Sequence, residues 1–159
     1  PGQTVAGSLT AVLGEPAGAV RSHWARHASF QDQAFVALNT ALMEDGAFIY
    51  VPKGKILDDP IHLLFLSTNQ GEAAASYPRN LIVAEANSEV AVVETYVGLE
   101  DGNYFTNAVT EIVMGENSVV EHTKVQQESV ERIFDHGVQR ENRWERGNVE
   151  LRAPDRTGI

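Results

Sequence analysis

The feature that most constrains this chain is a series of short apolar runs between residues 46 and 129, each four to eight residues long and closed by turn-forming residues. Phe48-Ile49-Tyr50-Val51 leads into Pro52-Lys53-Gly54-Lys55, and Ile61 to Leu66 follows Asp58-Asp59-Pro60. Leu81 to Ala84 and Val90 to Val97 flank Asn87-Ser88, and Val109 to Met114 and Val119 to Val125 flank Gly115-Glu116-Asn117-Ser118. Runs this short and this rich in Val, Ile, Thr and Tyr are strands. The pattern alone admits an antiparallel sandwich or a parallel solenoid. Repetition favours the solenoid. Ile82-Val83 and Asn87-Ser88 return 30 residues later as Ile112-Val113 and Asn117-Ser118. Val92-Val93-Glu94 returns 27 residues later as Val119-Val120-Glu121, which requires a second turn three residues shorter. A strand–turn–strand period of this size is what a β-solenoid coil produces.

The flanks differ from this middle. Residues 1–45 read as helix and loop, with helical candidates from Val20 to Ala28 and from Gln31 to Met43. In the second, Ala34, Phe35, Leu38, Ala41 and Leu42 fall on one face and predict an apolar stripe against the domain. Gly46 is the expected residue just past its end. Residues 130–159 hold six acidic residues and six arginines, with Phe134 and Trp144 isolated, and predict a solvated tail. The division expected is therefore a helical region (1–45), a β core (46–129) and a charged tail (130–159).

Charge and composition exclude several classes. There are 12 Lys+Arg against 22 Asp+Glu, a net charge of −10 at pH 7, which opposes nucleic acid and anionic membranes. No apolar run is long enough to span a bilayer, and the first residues lack the basic and apolar regions of a secretory signal. Pro1 without Met reads as a processed or trimmed start. Cysteine is absent, so disulfides, a Cys nucleophile and thiolate-held metal centres have no ligands here.

No catalytic constellation emerges from the residues. His23 and His27 stand four apart, on one face if the segment is helical, but lack the acidic residue of a zincin motif and read as ordinary surface or interface histidines. His62, in an apolar strand, reads as a hydrogen-bonded structural residue. Glu121 and His122 are strand neighbours on opposite faces, and they are the candidates for proton transfer or metal contact. Asp58-Asp59 and Glu100-Asp101 have turn composition rather than the separation of a catalytic carboxylate pair. Pro52-Lys53-Gly54-Lys55 lacks the spacing of a phosphate loop. The chain reads as a non-enzymatic scaffold without a cofactor of its own.

Several strings resemble one family. They are Ala37-Leu38-Asn39-Thr40-Ala41, Glu44 through Gly54, Pro60 through Ser67, Tyr77 through Val83, Tyr104 through Glu111 and Val119-Val120-Glu121-His122. Together they resemble the SufB/SufD family of iron–sulfur cluster assembly proteins over residues 35–129, with SufD the nearer branch. The resemblance implies an all-β fold, a right-handed parallel β-helix behind a short helical region. It implies framework roles for Gly46, Phe48, Pro52, Gly54, Pro60, Asn80 and Asn107. It further implies a non-catalytic cytoplasmic platform partnered by SufB and the SufC ATPase. Family members continue into further coils and a SufC-binding region, which predicts a truncated chain that self-associates through its open coil end.

Overall fold

The computed structural model describes residues 2–13, 18–31, 33–68, 74–99, 104–127, 133–142 and 148–152. Glu100, Asp101 and Trp144 lie outside these described residues. Three helices and ten strands follow in the order β1 (Val5–Ser8), α1 (Leu9–Leu13), α2 (Gly18–His23), α3 (Ala34–Leu42), β2 (Ala47–Val51), β3 (Ile61–Ser67), β4 (Ala74–Ser76), β5 (Arg79–Ala84), β6 (Glu89–Gly98), β7 (Tyr104–Met114), β8 (Val119–Gln127), β9 (Ile133–Asn142) and β10 (Asn148–Arg152).

The strands form two sheets. The first runs β1-β2-β5-β7-β4, with β9 also on β7; the second runs β10-β8-β6-β3. β1 pairs antiparallel with β2, and every other ladder is parallel. The all-β parallel β-helix expected from the sequence is therefore corrected to a mixed α/β fold, one sheet mixed and one parallel, with helices packed on the mixed sheet. The reason lies in β5, where all six residues are buried. A strand sealed on both faces needs a layer on each side. The second sheet covers one face, where Ile49, Ile82, Ile112, Val92 and Val120 meet. Helical residues Leu9 and Val20 cover the other, against Leu81, Val83 and Val113. A 30-residue repeat dictates which strands are neighbours but leaves this layering open.

The β5–β7 and β6–β8 ladders share one offset. Ile82 pairs with Ile112 and Val92 with His122, both 30 residues apart. The 27-residue alignment is thus displaced: Val120 sits beside Val90, and the two turns are equal in length. Asn87 and Asn117 hold positive φ angles of 58° and 54°, and their side chains hydrogen-bond to each other at 3.4 Å. Asn tolerates this left-handed backbone better than branched residues do. Gly54, at φ 73°, serves the preceding turn.

Three local expectations change. α3 does not bury its apolar stripe: Phe35 and Leu42 are 48% and 46% exposed, while Val36 and Asn39 are buried. Asn39 Nδ2 donates to the carbonyls of Pro78 and Asn107, and this polar grip turns the helix. Gly46 is not a left-handed helix cap, because α3 already ends at Met43 in extended backbone. It is needed because a Cβ there would stand 1.9 Å from the carbonyl oxygen of Arg79. Where a solvated tail is expected, β9 lies along β7 and β10 along β8.

Candidate functional site

Alternation along β7 aims neighbouring residues at two separate polar centres. Thr110 faces the second sheet and Glu111 faces the helices, and both are wholly buried. The inner centre is built around Glu94 of β6. Its Oε1 accepts from Thr110 Oγ1 at 2.8 Å and lies 3.0 Å from His122 Nε2; its Oε2 accepts from the Tyr96 hydroxyl at 3.0 Å. Asn80 of β5 donates to Thr110 Oγ1 at 3.2 Å and to the Tyr96 oxygen at 3.5 Å, and it accepts from the Ala47 amide at 2.9 Å. The Lys124 ammonium lies 5.1 Å from the centre of the Tyr96 ring, a cation–π distance.

Burial pushes the Glu94 carboxyl upward, but the His122 hydrogen bond and charge, the Lys124 charge and the Thr110 hydroxyl outweigh it, and the net shift is down. Glu94 is therefore the acceptor and His122 Nε2 the donor. The Nδ1 of His122 is buried with no hydrogen-bond partner among the described residues. The cluster crosses from β5 and β7 to β6 and β8, so it fixes the two sheets in register.

The outer centre holds the helical region. Arg79 of β5 donates to Glu111 from Nη2 at 2.9 Å and from Nε at 3.4 Å, and its Nη1 reaches Asn39 at 3.1 Å and Thr40 at 3.2 Å. Glu111 also accepts the backbone N–H groups of Ala25, His27 and Ala28, at 3.0, 3.0 and 2.7 Å. One carboxylate thus holds the loop after α2, and its guanidinium partner holds α3.

The sequence candidates separate accordingly. His122 belongs to the inner centre; Glu121, next to it, is half-exposed on the opposite face and does not join it. His62 is exposed on β3 and shares a hydrogen bond of 2.8 Å with Thr95. His23 and His27 are not on one helix, since α2 ends at His23 and Ala25 turns the chain at φ 54°. Of the framework residues, Phe48 packs against the helices, Pro52 is buried beside its turn and Pro60 is exposed ahead of β3. Asn80 lies in the inner centre, and Asn107 donates to the Phe35 carbonyl of α3 at 2.8 Å. Sequence reasoning missed Glu94, Arg79 and Glu111. The available signal was a charged residue at an inward position of an apolar strand.

Among the described residues, no three His, Asp or Glu side chains converge as a metal site, and no helix is long and apolar enough to cross a membrane. A surface groove of about 660 Å³ runs between β3 and the β4–β5 junction, lined by Asp45, Leu63, Leu64, Phe65, Tyr77 and Pro78. It is separate from both buried centres.

Comparison with known proteins covers the same ground. A family model described as the SUF system FeS cluster assembly SufBD core domain matches residues 65–149, and one for the SufBD protein N-terminal region matches residues 1–63. An iron–sulfur cluster assembly SufBD family protein of Synechocystis is 37% identical over 106 residues, 62% of this chain and 23% of that protein. The chloroplastic protein ABCI7 of Arabidopsis thaliana is 34% identical over 102 residues, 60% of this chain and 22% of its own. The iron–sulfur cluster assembly protein SufB of Bacillus subtilis is 35% identical over 112 residues, 67% and 23% respectively. The chain thus spans about a quarter of the length of the curated relatives it matches. The core match, reaching into β10, together with the N-terminal match, places this chain in the SufBD family.

Proposed function

We propose that this chain is a scaffold segment for iron–sulfur cluster assembly, working without catalysis of its own and with the cluster as cargo. The observation that carries this reading is the match to both SufBD regions along one chain. The two buried centres support it. Glu94, His122, Arg79 and Glu111 are sealed and bonded to one another, so their chemistry goes into holding sheets and helices in place.

The partners in this reading are SufB and the SufC ATPase, in the cytoplasm, with this chain on the SufD side of the family. A homo-oligomer is the accompanying reading. It is favoured by β3, an edge strand whose Leu64 and Leu66 are both 52% exposed, because unpaired edges with apolar side chains invite pairing. Co-expression with SufB and SufC, followed by light scattering on the purified material, tests both. A stable complex containing this chain is the expected result. A chain that elutes alone in the presence of both partners contradicts the scaffold role, and a solution mass of 17.4 kDa contradicts the homo-oligomer.

A further inference from the structure

We propose that His23 and His27 together form a surface site for one divalent transition-metal ion of the kind that prefers imidazole ligands, such as Zn²⁺, Co²⁺ or Ni²⁺. His23 Nδ1 and His27 Nε2 lie 3.1 Å apart, with ring centres 5.3 Å apart and planes tilted by 31°. Adjacent ligands of a tetrahedral or octahedral ion with metal–nitrogen bonds of ~2.0–2.1 Å stand roughly 2.9–3.4 Å apart. The two nitrogens are therefore already at the spacing of neighbouring ligand positions. Binding exchanges the shared hydrogen bond for two metal–nitrogen bonds. The proton of that bond moves to the outer nitrogen of its own ring, so each imidazole stays neutral and presents a lone pair.

The pairing does not come from helix spacing. α2 stops at His23, and the chain doubles back through Ala25, whose left-handed backbone is uncommon for a residue with a Cβ. Such conformations persist where the surroundings over-determine them. Here Glu111 does so, through the amides of Ala25, His27 and Ala28. The buried Arg79–Glu111 pair thus sets the loop that sets the imidazoles, and support of this kind preorganises a site. Both rings are half-buried, and solvent reaches them. Burial chiefly holds His27 below the ordinary histidine range, with Glu111 opposing and the His23 and Arg26 charges adding. With no third His, Asp or Glu converging among the described residues, water completes the coordination shell and the affinity is modest.

The test is a titration of the full chain with ZnCl₂ by calorimetry, repeated with His23→Ala, His27→Ala and, as a control, His62→Gln. One saturable equivalent is expected. Each loop variant should bind at least about tenfold more weakly, and the control should match the wild type. Because a loop variant could disturb folding, Ni²⁺ is also added to the unaltered protein, and the histidine ring protons are followed by NMR. Broadening of His23 and His27 ahead of His62 is expected. Uniform broadening, equal binding by both loop variants, or displacement of Zn²⁺ by equimolar Mg²⁺ would each overturn the proposal, since they place the ion on surface carboxylates instead.

Discussion

The two buried glutamates face opposite sides of the mixed sheet and solve the same problem differently. Glu111 is neutralised by Arg79, whose charge is permanent, and its oxygens also take three backbone amides. Glu94 relies on a histidine, two hydroxyl groups and a lysine across an aromatic ring. A buried carboxylate is costly unless it is paired and hydrogen-bonded. Both centres meet that condition, the outer one through a guanidinium and backbone amides, the inner one through an imidazole and two hydroxyl groups. The outer centre works as a staple between helices and sheet, and the inner centre as a key between two sheets.

The largest expected break is Glu111→Ala. It leaves Arg79 buried without its counter-ion and releases the loop at Ala25–Ala28, and it should lower the unfolding free energy by about 3–5 kcal/mol in urea titration. Glu94→Gln should cost less, about 1–3 kcal/mol at neutral pH. Its cost should also depend on pH. The folded Glu94 value lies below its ordinary 4.5, so its contribution is fully present above 4.5 and is lost as pH falls through the lower folded value. Wild-type and Glu94→Gln stabilities should therefore converge on acidification; parallel curves would mean that shape rather than charge matters there.

Thr110→Val sharpens the contrast. It should cost about 1–2 kcal/mol by removing a donor from Glu94 and an acceptor from Asn80. In double-mutant cycles it should couple to Glu94→Gln, and its cost should simply add to that of an Asn39→Ala change on the outer side. The smallest effect is Thr95→Val, which loses the bond to the exposed His62 and should change stability by no more than about 0.5 kcal/mol.

The relation between sequence and structure differs between these regions. The apolar runs at 48–51, 61–66, 81–84, 90–97, 109–114 and 119–125 all lie within strands, and the Asn-Ser turns recur at the expected 30-residue spacing. These features depend on local propensity and short-range turn chemistry, which a single sequence carries. The α3 stripe was misread because Asn39, a polar residue, is the one the sheet grips. His122 was singled out, but its partner is Glu94, 28 residues earlier, rather than its neighbour Glu121. No local rule links residues so far apart in the chain. Their meeting depends on the register between β6 and β8 and on the second sheet closing over the first.

The sequence by itself determined the main strands between residues 46 and 129, the turns between them, the spacing that makes neighbours of them and membership of the SufBD family. Each of these is written in contiguous residues. Tertiary structure alone decided that helices cover one face of the first sheet and that Thr110 and Glu111 serve different centres. It alone decided that a left-handed turn at Ala25 brings two histidines together. These outcomes depend on which apolar surfaces close against each other, and on which buried charges find partners once water has been excluded.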